Sequence, residues 1–329
     1  MEEYLGTVQR SRAPHTYKTY RTGLGCFAQA LQQAGHLSES TAVEALDPAW
    51  VELLMEKTAG LAVATERTYL APTVALYRFV AGRRWAAINL AELDLYLSQR
   101  RRQGRRISPF HKQAIEKILT TARRVLAGAG GPPPVDAPNQ ASARYLVGVR
   151  DPTILITLAA TGLRVSELCA LRRGDIRWEE AKAVIIGKGD KEGVVRFADE
   201  ALQAIRRYLR ARQPLDDAQD ISLNRLPVFA SHSQRSGRRL TALSPRSVQE
   251  IVRGWVGREL GPEAVGSITP HTFRHYFVSV AVRATGGNLP VVKELARHES
   301  VATTSRYTHV ADNDVDAAYQ AAGRAMRGS

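Results

Sequence analysis

Tyr17, Tyr20, Leu24, Phe27 and Leu31 recur at intervals of three and four residues, with Lys18 and Arg21 between them. That is the period of one helix face. It predicts a helix that Gly35 stops. Asp47-Pro48 predicts the next start: a capping carboxylate, then proline at the first helical position, opening a helix through Trp50, Leu53 and Leu54. Further helices are predicted over 67–80, with Pro72 as an early-turn residue or kink, and over 90–97. No strand alternation stands out in this part, so residues 1–100 are expected to form a small all-helical domain.

The pattern then changes. Residues 100–106 carry Arg100, Arg101, Arg102, Arg105 and Arg106. A run like this is read either as a solvated linker or as a basic hinge that tracks a phosphate backbone. We expect a linker over 101–107 and a second domain over 108–310. A loop over 128–141, with Pro132-Pro133-Pro134, is expected to be extended or disordered surface. Residues 154–160 and 167–171 read as helices. Two β-rich runs, 183–186 and 194–197, flank a turn-forming segment and predict a hairpin with Lys188 near its tip. Helices are expected from Ala201 onward. The last, over 314–326, has Val315, Ala318, Tyr319, Ala322 and Met326 on one side. A lone helix of that length is marginal in water and must dock, so 311–329 is set apart as a tail. The fold class expected is mainly α with a small β-hairpin or sheet.

Charge narrows the partner. There are 46 Lys+Arg against 32 Asp+Glu, a formal net charge of +14, and a pI near 10.1. Such an excess suits a polyanion, with nucleic acid first and an anionic membrane surface second. Cys26 and Cys169 are too few for a disulfide scaffold and form no zinc-type pair. The acidic start lacks the order of a signal peptide, and no apolar run approaches the ~20 residues of a membrane span. A cytosolic protein is the expectation.

Three local groupings carry candidate chemistry. Arg164 lies just after a turn and just inside a helix, three residues before Glu167. His271 and Arg274 lie one helical turn apart, behind Thr269-Pro270. His298 and Tyr307 follow across a short polar connection. Each has an ordinary reading: Arg164 pairs with Glu167, His271 bonds local backbone, and Tyr307 is a core aromatic. His271 and His275 have the spacing of helical metal ligands, but a third ligand and the glutamate of the zinc-protease pattern are missing.

In order, Arg164, Lys188, His271, Arg274, His298 and Tyr307 resemble the catalytic series of the tyrosine recombinases, the family of phage integrases and Xer-type resolvases. The strings around them match as well: residues 160–168 resemble the first arginine box, 187–192 the lysine hairpin, 268–275 the second box and 303–310 the nucleophile segment. The helical N-terminal part resembles, more weakly, the family's SAM-like core-binding domain. The resemblance implies such a domain joined to a mixed α/β catalytic domain.

It also implies a chemistry. Arg164 and Arg274 would clamp the non-bridging phosphate oxygens. His271 would take the proton of Tyr307, and His298 would add a hydrogen bond to the phosphate. Lys188 would protonate the leaving 5′ oxygen, with Lys191 the alternative. Glu167 would orient Arg164, or only pair with it along the helix. Tyr307 would form a 3′-phosphotyrosine, so no ATP, metal or other cofactor is expected. The implied partners are double-stranded DNA core sites, with a dimer on each site and a homotetramer on synapsed DNA resolving a Holliday junction. Accessory directionality proteins are possible partners, and no membrane is involved. The tail helix would dock on its own domain or on the next protomer. One position departs from the family, which usually has glycine where this chain has Arg297; Arg297 could add a phosphate contact. No separate domain precedes residue 15, so one core site per protomer is expected. The competing readings are a type IB topoisomerase-like nicking and resealing enzyme, and a catalytically silent DNA-binding protein.

Overall fold

The computed structural model describes residues 1–38, 41–98, 111–131, 139–186, 192–232 and 240–297. They belong to two compact units, Met1–Ser108 and Pro109–Ser329. The arginines of 100–106, the triple proline, Lys188, Lys191, His298, Tyr307 and the tail helix expected over 314–326 lie outside the described residues.

The first unit contains α1 (Glu2–Ser11), α2 (Pro14–Gln33), α3 (Val51–Thr58), α4 (Val63–Arg83) and α5 (Leu90–Ser98). The periodic residues of α2 are inward, with Leu24, Phe27 and Leu31 buried. Phe27 and Leu31 pack with Val51, Leu54, Leu70, Tyr77 and Leu93. The Asp47 carboxylate caps as predicted, accepting from the Ala49 N–H at 2.8 Å. The turn it opens, Pro48–Trp50, is 3-10 before α3 begins. Helix α4 extends beyond 67–80 at both ends, and Pro72 lies inside it rather than in its first turn. Packing explains the tolerance. Gly23 of α2 faces Pro72, and a β-carbon at 23 would fall 2.9 Å from the Pro72 Cγ and 3.1 Å from the Tyr69 carbonyl oxygen. Two backbones therefore approach where one residue lacks a side chain and the other lacks an N–H. Helix α1 was not predicted. Its apolar face is Tyr4 and Val8, held by tertiary contacts such as Tyr4 on Phe79 at 4.9 Å between ring centroids.

The second unit is built around α7 (Asn139–Thr161), which packs against α6 (Lys112–Gly128), α9 (Asp199–Asp217) and α11 (Pro270–Ala284). The predicted segment 154–160 is only the last part of α7. Thr153, Thr157 and Thr161 are buried along it, and each hydroxyl donates to the carbonyl four residues back, at 2.8, 2.8 and 2.6 Å. Their polar groups thus cost little to bury. The predicted hairpin pairs β2 (Lys182–Ile186) with β3 (Glu192–Arg196), Val184 opposite Val194. A third strand, β1 (Ile176–Arg177), extends the antiparallel sheet to the order β1-β2-β3. The short α8 (Val165–Ala170) precedes the sheet, and α10 (Pro245–Leu260) and α12 (Leu289–Ala296) complete the described helices.

The expectation of helices throughout from Ala201 fails between α9 and α10. There the described chain has only a single 3-10 turn, Leu223–Arg225, and isolated bridges of Arg172 to Pro227 and Ala230 to Ala242. The reason is a buried cation. Arg212 is fully buried, donating Nε to Asp216 at 2.8 Å and its Nη atoms to the carbonyls of Val228 and Pro227 at 2.9 and 2.8 Å. Those carbonyls are available because the segment is not helical.

Candidate functional site

The second unit brings Arg164, Glu167 and Arg274 to the C-terminal turn of α12, with His271 one helical turn before Arg274 on α11 and near enough to feel the charges of Arg274 and Arg164. Thr161 ends α7, and Gly162 then turns the chain with φ +59°. A β-carbon there would fall 2.4 Å from the Phe277 ring, so the turn needs glycine for conformation and for space. Arg164 follows as the cap of α8. The Glu167 carboxylate accepts from the Arg164 backbone N–H at 2.9 Å and from its Nη1 at 2.6 Å. Glu167 is therefore both a capping group and an ion-pair partner.

His271 and Arg274 occupy the first turns of α11. Thr269 caps that helix, exchanging hydrogen bonds with Thr272, and Pro270 starts it. Arg274 is 3% exposed. Its Nη1 donates to the Gly162 carbonyl at 2.5 Å and its Nη2 to the Ala296 carbonyl. Arg164 keeps 37% of its side chain exposed and donates Nη2 to the Arg297 carbonyl at 3.3 Å. Two cations thus take carbonyls left open at the end of α12, where the helix dipole is negative. His271 is exposed as a residue, yet its ring surroundings are crowded. Loss of solvation, then the charges of Arg274 and Arg164, hold its pKa below the ordinary histidine value. Its neutral form, a proton acceptor, is favoured. His275 lies against it, ring centroids 4.4 Å apart. Among the described residues no three metal-ligating side chains converge, and no helix is long and apolar enough to cross a membrane.

Arg297 is the feature that residue spacing does not reveal. It keeps a left-handed backbone, φ +55° and ψ 46°, without being glycine. Its side chain turns inward, 10% exposed, and donates to Glu167 Oε2 at 3.3 Å. The Glu167 carboxyl feels burial most strongly, which raises its pKa. The Arg164 N–H, the Arg297 charge and the Arg164 side chain together outweigh burial, and the pKa is lowered. Cys169 is no competing nucleophile, since burial pushes its thiol up to about 11. In the first unit, α2 and α4 form an open groove lined by His15, Lys18, Thr19, Thr65, Thr68 and Tyr69. Its signal in the sequence was faint, because it is split between two helices.

Comparison with known proteins identifies the family of the chain. Residues 136–314 match the model of the phage integrase family. The tyrosine recombinase XerC of Thermodesulfovibrio yellowstonii is 35% identical over 161 residues, covering 49% of this chain and 50% of that protein. The chain thus spans about half the length of that relative. XerC of Mycobacterium sp. (strain KMS) is 30% identical over 313 residues, 94% of this chain and 92% of that protein. The fold resembles the XerH site-specific recombinase bound to a palindromic difH substrate, with a TM-score of 0.67, 18% identity and coverage of 94% of this chain and 80% of that one. It also resembles a lambda integrase dimer bound to a core site, with a TM-score of 0.57, 15% identity and 93% of each chain covered. With its family model matched over more than half its length, and a full-length relative at this identity, the chain belongs to the phage integrase family of tyrosine recombinases.

Proposed function

We propose that this protein is a site-specific DNA recombinase that cuts and rejoins DNA through a covalent 3′-phosphotyrosine on Tyr307. The observation that carries the reading is the convergence of Arg164 and Arg274 on the end of α12, with a neutral-leaning His271 under the charge of both; His298 directly follows Arg297, the cap of that helix, in the chain. Paired guanidiniums suit the charge of a pentavalent phosphorus transition state. The Tyr307 Oη attacks phosphorus while the bond to the 5′ oxygen breaks. His271 accepts the phenolic proton, Lys188 (or Lys191) supplies the proton to the 5′ oxygen, and His298 donates to a non-bridging oxygen. The phosphotyrosine conserves the bond energy, so a 5′ hydroxyl from a second duplex can attack it and free the tyrosine.

Double-stranded DNA is the proposed partner, in keeping with the excess of basic residues and with the DNA complexes of the structural neighbours. The arginines at 100, 101, 102, 105 and 106 and the α2–α4 groove with Lys18 are the proposed backbone contacts. A dimer on each site and a tetramer on paired sites complete the reading. The test is a nicked suicide substrate without metal or ATP, run on a denaturing gel. A protein–DNA adduct is expected from the wild type and none from Tyr307→Phe, with DNA binding intact in both. An adduct persisting in Tyr307→Phe would overturn the nucleophile assignment. Adduct formation without strand exchange between duplexes would favour topoisomerase-like resealing.

A further inference from the structure

We infer that Arg297 is a positioning residue of the cleavage centre, which holds one oxygen of Glu167 and thereby sets Arg164, and that it does not itself contact DNA. The inference deepens the recombinase reading and rests on it.

Arg297 ends α12 in a backbone conformation that disfavours any residue with a β-carbon. Its side chain is 10% exposed, and burying such a charge is costly unless partners compensate. Its partners among the described residues are internal. Nη1 donates to the Leu295 carbonyl at 3.2 Å, and Nη2 to the Gly162 carbonyl and Glu167 Oε2, both at 3.3 Å. Nε is buried without a partner. The stem is accommodated by strand β3, because a β-carbon at Gly193 would fall 3.1 Å from the Arg297 Cδ. Burial alone does not set Arg297 apart, since Arg274 is 3% exposed; the difference is that Arg274 donates to the Gly162 and Ala296 carbonyls, whereas Arg297 places its charge on the Glu167 carboxylate.

The consequence is electrostatic and geometric. Glu167 is 3% exposed on its side chain, and its two oxygens are divided: Oε1 takes Arg164 Nη1, while Oε2 takes the Arg164 N–H and Arg297 Nη2. With Arg164 alone, the buried carboxylate would neutralise the cation that must meet the phosphate. With Arg297 and Arg274 present, three guanidiniums stand against one carboxylate. The Arg297 carbonyl meanwhile accepts Arg164 Nη2 at 3.3 Å, so one residue fixes both ends of the Arg164–Glu167 pair.

The experiment is a mutant cycle on the full-length protein with Arg297→Gly, Glu167→Gln and the double variant. It is read by single-turnover cleavage of the suicide substrate, by DNA binding and by Tm. Glycine suits the left-handed backbone, so Arg297→Gly should fold, with Tm within about 3 °C of wild type. DNA binding should stay within about threefold, while cleavage falls about 10- to 100-fold. In the Glu167→Gln background the further loss should shrink below about threefold. Arg297→Lys should recover part of the rate. Wild-type cleavage by Arg297→Gly would overturn the inference. So would a rate loss explained by weaker binding, or losses that multiply in the double variant, which would mean a direct phosphate contact. If the wild type itself forms no adduct, the recombinase reading fails. The Tm cycle still tests the link: Glu167→Gln should lower Tm less once Arg297 is glycine, and equal lowering would overturn it.

Discussion

Alanine at position 162 adds one methyl group where the structure has no room for it. Gly162 has φ +59°, and the added carbon would fall 2.4 Å from Phe277 Cδ1, 2.9 Å from Cγ and 3.1 Å from Cε1. The left-handed backbone costs a residue with a β-carbon about 1–2 kcal/mol. Forcing the ring aside adds about 1–3 kcal/mol. Urea unfolding of Gly162→Ala should therefore show a loss of about 2–5 kcal/mol. Cleavage should fall too, because the Gly162 carbonyl accepts from Arg274 and Arg297 and Arg164 lies two residues on. The two causes separate in a cycle with Phe277→Ala. Removing the ring relieves the clash and leaves the backbone cost, so the double variant should lose about 1–3 kcal/mol less than the sum of the singles. A Gly162→Ala loss below about 0.5 kcal/mol, or strict additivity with Phe277→Ala, would refute the reasoning.

Asp216 accepts from Arg212 at 2.8 Å and from Arg173 at 2.5 Å, so Asp216→Ala strands a fully buried guanidinium. Denaturant unfolding should record a loss of about 3–5 kcal/mol, and one below about 1 kcal/mol would contradict it. The Tyr208 hydroxyl and His232 Nε2 are hydrogen-bonded at 2.8 Å. Burial, then the charges of Arg150 and Arg212, push its pKa down to about 3. The unfolded ring binds a proton near pH ~6.5 and the folded ring does not, so this contribution is whole above that pH and is lost as pH falls toward 3. The stability gap between wild type and His232→Gln should then shift in favour of the variant, by up to about 1.4 kcal/mol per pH unit below pH 6. A gap that does not change with pH refutes the assignment. Lys188→Ala should slow cleavage far less on DNA with a 5′-phosphorothiolate leaving group, which needs no proton. An equal loss on both substrates would move the acid role elsewhere, with Lys191 next.

Much of the site can be read along the chain because its parts are local. The Thr269-Pro270 start and the three-residue step from His271 to Arg274 depend on one helix, and α11 carries them as spacing predicts. The Asp47 cap and the β2–β3 pairing are likewise short-range. Helix α1 and strand β1 were not legible for other reasons: α1 is held by partners distant in sequence, such as Phe79 for Tyr4, and β1 has only two residues, Ile176 and Arg177, too few to show an alternation although its partner strand follows closely. The break between α9 and α10 belongs with them, since it follows from where Arg212 finds its carbonyl acceptors.

By itself the sequence determined the mainly helical class, the basic character and the ordered series of residue types suited to phosphoryl chemistry. Periodicity, capping and composition are properties of neighbouring residues. Only the tertiary structure decided that Arg297 turns inward to Glu167, that Gly162 serves two guanidiniums with one carbonyl, and that three open carbonyls at the end of α12 each accept from a different arginine. Those contacts join residues more than a hundred positions apart or depend on which way a side chain turns. Such choices are made by burial and by the need to pair every buried charge, and both exist only once the chain has folded.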